Sequence, residues 1–206
     1  MAARLRDVVT IGALAWLLAS GISVSVAHAE RVLIAGALAW DEPLDRAPAS
    51  VQQALAILGQ LEADRLPRRR PRAAEPWARD VFRPWLERQQ AQMAALRRAL
   101  EPLLASAEPR GRLFAALITA SALHAFAERV RAAPVPREVG ADAAMLQVYR
   151  DALEGSLRPT LEEERAALRA CVELAPRVPA PLAVWRARCT AQLSQLDAEL
   201  APRPEP

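Results

Sequence analysis

Along most of the chain beyond residue 50, apolar residues recur three and four positions apart, the spacing of one buried face on a helix. Val51, Leu55, Leu58 and Leu61 form the first such face, and Ser50 with Gln53 is spaced as a capping box, which predicts a helix ending near Arg65. From Asp80 to about Ala105 one side carries Trp85 or Leu86, Met93, Leu96, Leu100 and Leu103, and the other carries Glu87, Arg88, Gln92 and Arg98. Pro84 falls in the first turn of that helix and Pro102 near its end. Leu113 to Ala127 contains no formal charge, is too short to span a bilayer, and is apolar all round, so it belongs at the centre of a bundle. Asp142 is placed to cap a helix carrying Met145, Leu146, Tyr149 and Leu153, with Gly155 as its stop. Thr160 and Glu163 form a second capping box ahead of Leu161, Leu168, Cys171 and Val172, and a last helix from Leu182 shows Trp185, Cys189, Leu193, Leu196 and Leu200.

The first 29 residues follow a different pattern. Arg4 and Arg6 precede an uncharged run from Val8 to Val26, and Ala27-His28-Ala29 has the small side chains that signal peptidase accepts. The order is that of a secretory signal peptide cleaved before Glu30; the competing reading is an uncleaved anchor, since Val8 to Ala29 is long enough to cross a bilayer. In both readings Arg4 and Arg6 keep the N-terminus inside and send the body outward, so the expected location is periplasmic or exported, or else anchored in the inner membrane with the body outside. The apolar stretch Val32 to Trp40 is too short to span and is expected to pack on the body, with membrane contact through this N-terminal segment as the alternative.

The organisation is therefore residues 1–29 as leader or anchor, 30–65 as apolar segment and first helix, 66–76 as a Pro/Arg-rich linker, 77–200 as a helical domain and 201–206 as a disordered tail. Composition agrees: of 206 residues 52% are hydrophobic, only 4% are aromatic, and Ala and Leu dominate, which favours helix over strand. The fold class is all-α, an irregular helical bundle or stacked helical hairpins, with a disulfide-stapled C-terminal hairpin. Every basic side chain is Arg, but the formal charge is only +3 and acids are interspersed throughout, so no basic stripe for nucleic acid exists.

Cys171 and Cys189 flank the short connection Pro176 to Pro181, which folds its two helices back as an antiparallel hairpin. With a rise of 1.5 Å per residue the two thiols reach nearly the same height, each within an apolar stripe, as a disulfide requires. In an exported chain such a bridge is expected and contributes roughly 3 kcal/mol by the loop-entropy model. His124, alone within the uncharged Leu113 to Ala127 stretch, is read as a core side chain, with contact to a bound haem or lipid as the alternative. Neither a zinc site nor any other metal or cofactor is expected, because C-x-x-C spacing and a second histidine in the mature chain are missing.

Arg68, Arg69, Arg70 and Arg72 lie in the linker between two prolines, either as a solvated connector or as an anion or partner contact through bidentate guanidinium bonds. No aromatic is interleaved among them to stack a base. The run Glu162-Glu163-Glu164 is expected to complement a helix N-terminus. No phosphate-binding glycine motif or nucleophile elbow occurs, and no pair of groups is placed for proton transfer or nucleophilic attack.

Val148 to Leu153, the capped stretch from Pro159 to Cys171, and Trp185 to Cys189 together resemble the C-terminal helical hairpins of tetratricopeptide-repeat-like proteins of bacterial envelopes, over residues 141–200. That resemblance implies a scaffold that docks partner peptides in a concave groove, and it carries over no binding residue. The expectation is thus a non-enzymatic, exported helical protein acting on another envelope protein, with the Arg68 to Arg72 linker and exposed aromatics such as Trp77 as contact surfaces. A helical carrier of an apolar ligand beside His124 is the alternative, and a cavity at His124 discriminates the two.

Overall fold

The computed structural model describes residues 46–67, 69–178 and 180–201, with the side chains of 180–184 excepted. The leader with His28, the stretch Val32 to Trp40, Arg68 and the last five residues lie outside the described residues. Among the described residues all regular structure is helical: α1 (Ala49–Ala63), α2 (Ala74–Trp77), a π-helical turn (Ala78–Phe82), α3 (Arg83–Ala105), α4 (Pro109–Arg131), α5 (Arg137–Gly140), α6 (Ala143–Leu174), a 3-10 turn (Ala175–Arg177) and α7 (Ala180–Leu200).

The uncharged helix is the centre, as its composition requires. Leu113, Phe114, Ala115, Ala116, Leu117 and Ile118 are buried in consecutive positions, so α4 is covered on every side over these turns. It packs along α6 and against α3 and α1, while α7 folds back on α6. By length and composition α4 could cross a membrane, but here it forms the bundle interior. Alanines at 115, 116, 120, 122 and 127 are all buried on it. Small side chains let its neighbours approach closely, and the larger Leu96, Leu100, Leu161 and Leu168 complete the packing from α3 and α6.

Three local expectations fail for physical reasons. α1 begins at Ala49 with Pro48 as its N-cap, and no side-chain cap forms; Pro48 fixes the entry backbone, so Ser50 falls inside the first turn and no Ser50–Gln53 box exists. Gln52 instead donates to the Ala47 carbonyl at 2.8 Å. The second long helix starts not at Asp80 but at Ala74, and the turn Ala78–Phe82 is π-helical. Pro84 has no N–H to donate and its ring crowds the carbonyl four residues back, Asp80, so a widened turn just upstream accommodates it.

The largest departure is α6, one helix of 32 residues in place of two. Asp142 caps it as expected, accepting from the Ala144 and Met145 amides. Gly155 does not stop it, because the glycine keeps helical dihedrals with no positive φ, and Thr160 lies in mid-helix without a cap role. Gly155 costs about 1 kcal/mol and Pro159 about 3. Leu157, Leu161 and Leu168, all buried, each return about 1.5–3 kcal/mol by leaving water. Gly155 is also the residue whose carbonyl loses its donor to Pro159, and its exposed position leaves that carbonyl open to solvent.

Candidate interaction surface

Cys171 and Cys189 are bridged, with Cα atoms 6.2 Å apart and both residues fully buried. The bond joins α6 to α7, and farther along the same two helices Arg165 and Asp197 form an ion pair at 2.5 Å. Trp185 is buried beside it in the same face of α7.

The Pro/Arg segment is held, not loose. Arg137 N–H donates to the Pro71 carbonyl at 3.0 Å, Arg70 Nε donates to the Val135 carbonyl at 2.9 Å, and Ala74 N–H donates to Glu138 Oε1 at 2.6 Å. Arg70 lies over Gly140, where a Cβ would run into its guanidinium end. Arg69 and Arg72 are exposed on either side of these contacts. Trp77 is half-buried instead of exposed, its ring stacked on Phe82 with centroids 5.2 Å apart. The stacking continues through Phe82 and Trp85 to Phe126 at 6.1 Å, so the aromatics form a structural column from α2 to α4.

His124 does sit against the core, but paired with a carboxylate: its Nδ1 lies 3.1 Å from Glu164 Oε1. The hydrogen bond to Glu164 raises the imidazole pKa above its usual value, burial opposes that rise, and the negative charges of Glu164, Glu128 and Glu199 add to it. Glu164 is itself buried at 4% exposure, and His124 supplies the hydrogen-bond partner that a buried polar group requires. The three consecutive glutamates therefore do not complement a helix N-terminus. They lie in mid-helix on three bearings, with Glu162 bonded to Arg158, Glu163 to Arg97 of α3 and Glu164 to His124 of α4.

Two polar clusters have no counterpart in the sequence reading. Around the C-terminus of α1, Trp85 Nε1 donates to the Asp64 carbonyl at 3.1 Å, Gln89 Nε2 to Asp64 Oδ2 at 3.2 Å, and Arg88 forks onto the Asp64 carboxylate. Arg129 donates to the Leu61 carbonyl and to Gln89 Oε1. Burial lowers the Arg129 pKa, and burial raises that of the adjacent Glu62 against the pull of Arg129 and Arg65. The second cluster is centred on Arg131, which bonds Glu128 on its own helix, Glu154 of α6 and Glu199 of α7. Burial works against its charge, but the bonds to Glu154 and Glu128 outweigh this and raise its pKa. A glutamine at the apolar spacing of α3 was the one sequence signal for the first cluster; nothing in the sequence distinguishes Arg131 from its neighbours.

A shallow, open depression runs along the outer face of α6, lined by Glu162, Arg165, Ala166, Arg169, Ala170 and Glu173. Both charge signs line it, and no residue of α4 does. Among the described residues no three His, Cys, Asp or Glu side chains are grouped to hold a metal ion. Comparison with family models, with curated proteins and with solved structures finds no match to this chain.

Proposed function

We propose that this chain is a non-enzymatic, exported helical scaffold of a bacterial envelope that works through contacts with another protein. The observation that carries the reading is the buried Cys171–Cys189 bridge in a chain with an export-type leader, since such a bond persists in oxidising compartments. The side chains of each polar cluster bond helix ends and neighbouring helices. The carrier alternative needs apolar space beside His124. Its ring instead faces Glu164, and Ala120, Leu123 and Ala127 near it on α4 are buried against neighbours, which favours the scaffold.

The α6–α7 hairpin is also the element through which the likeness to tetratricopeptide-repeat-like hairpins would act, although α6 is a single long helix. To test the proposal, the full chain is expressed in a Gram-negative host, fractionated, and weighed intact before and after reduction and alkylation. A periplasmic species beginning at Glu30 that takes up two alkyl groups only after reduction is the expected result. Full-length, cytosolic protein with two free thiols would overturn it.

A further inference from the structure

The end of the bundle where α4 turns into α6 combines two features that neither the fold nor the disulfide needs. The first is charge. Arg69, Arg72 and Arg137 are all exposed, and among the described residues none has a side-chain hydrogen bond or ion pair. Pro71 bonded to Arg137 puts the three within a few residues of one another on a segment fixed by three hydrogen bonds. The nearby acids are mostly engaged: Glu138 accepts from Ala74 N–H, and Asp142 accepts from the first amides of α6. Glu75 beside them is not. All three carboxylates keep their charge, so with Arg70 the local balance is four arginines against three acids, and apart from Glu75 the charged side chains left without a partner are guanidinium groups.

The second feature is an uncovered apolar stripe. Beyond α5 the first turns of α6 leave Met145 51% and Val148 68% exposed, and these, with Leu104 at the other end of the bundle, are the exposed large hydrophobics among the described residues. Met145, Val148 and Ala152 follow helical spacing on one side, while Leu146, Tyr149 and Leu153 of the same turns are partly buried.

We propose that Arg69, Arg72 and Arg137 with Met145 and Val148 form a docking surface for an acidic amphipathic segment of a partner protein. The inference rests on the scaffold reading above and names its partner's chemistry. Guanidinium groups bind carboxylates in a two-pronged fashion, and a segment already fixed by hydrogen bonds loses less freedom on binding than a free linker would. Met145 supplies an adaptable apolar contact and Val148 a rigid one. A lipid surface responds to summed charge, which Glu75, Glu138 and Asp142 reduce here, whereas a protein partner can place each carboxylate against one arginine. A nucleic-acid strand would need exposed rings to stack on, and Trp77 is already stacked on Phe82.

The test uses the exported, oxidised full chain and a fluorescent peptide of Glu and Leu at helical spacing, followed by anisotropy at low and high salt. Saturable binding is expected, weakened about ten-fold or more in R69S/R72S/R137S, the size of losing one or two charged hydrogen bonds. M145S/V148S is expected to weaken it several-fold. The charge-matched control R98S/R112S/R186S alters three exposed arginines elsewhere and is expected to bind as the unaltered chain does.

Equal loss in that control, equal binding of a Lys/Leu peptide, no binding, or preference for phosphatidylglycerol vesicles would each overturn the proposal. Photo-cross-linkers placed at Val148 and at Leu104 separate this inference from the scaffold reading. A partner adduct from Leu104 alone keeps the scaffold and rejects this surface; none from either rejects both.

Discussion

The α1–α3 hairpin and the α6–α7 hairpin both lean on α4, but only the first is fastened in part through backbone carbonyls. At the first, side-chain donors reach backbone acceptors, Trp85 to the Asp64 carbonyl and Arg129 to the Leu61 carbonyl, beside the side-chain contacts of Arg88 and Gln89 to the Asp64 carboxylate. At the second, side chains reach side chains, with Arg131 on three carboxylates, Arg165 on Asp197, His124 on Glu164, and one covalent bond. The difference follows from where each contact falls. α1 ends at Ala63 without a glycine or basic residue in its last turn, so its final carbonyls need donors from elsewhere. The contacts on α6 lie in mid-helix, where the backbone is already bonded and only side chains remain to join neighbours.

Removing the covalent tie tests that contrast most strongly. Replacing Cys171 and Cys189 by Ala is expected to cost about 3 kcal/mol, by the loop-entropy model. Urea unfolding should show the same loss for the unaltered chain in reductant, and no further loss for the variant. If reductant leaves the midpoint unchanged, the α6–α7 hairpin is held by its packing and charges instead.

The cap at α1 comes next. Arg129→Met leaves a buried carbonyl and Glu62 without their cation and should cost about 2 kcal/mol, within the range for orphaned buried polar groups. Glu62→Gln in the same background should recover part of it. Arg131→Met, whose partners are carboxylates with substantial access to water, should cost less, about 1 kcal/mol. Thermal unfolding of the two single variants decides the comparison, and the reverse order would refute the division drawn above.

A smaller effect is expected from pH. His124 has its pKa raised in the folded state, chiefly by its bond to Glu164. The stability it contributes is therefore fully present below the ordinary imidazole value of about 6.5 and is lost as pH rises through the higher folded value. With the imidazole side chain 36% exposed, the effect is at most about 1 kcal/mol. Unfolding midpoints across neutral pH should fall for the unaltered chain, and His124→Gln should remove that component of the slope.

The smallest change should be a gain. A Cβ at Gly155 meets nothing within 4 Å, so Gly155→Ala is expected to stabilise α6 by about 0.5–1 kcal/mol. Gly140→Ala should gain less, because its Cβ displaces the guanidinium end of Arg70 and with it the bond to the Val135 carbonyl. Equal effects at the two glycines would show that the Arg70 contact does not hold in solution.

By itself the sequence determined the helical class, the central position of Leu113 to Ala127, the Asp142 cap and the pairing of Cys171 with Cys189. Each of these is written in local spacing or composition: an uncharged stretch has one stable place, and two cysteines across a short turn have one partner each. Tertiary structure decided what local signals could not rank. Gly155 and Pro159 read as a break because their cost is local, whereas the burial of Leu157, Leu161 and Leu168 that overcomes it comes from α4 and other elements remote in sequence. Pinning of the arginine segment is equally remote, since Pro71 and Arg137 are brought together only by the way α3 and α4 fold back on each other. The polar clusters belong to the same class. Gln89, Arg129 and Arg131 gain their roles from carbonyls and carboxylates contributed by other helices, and no spacing along one helix records which groups another will bring.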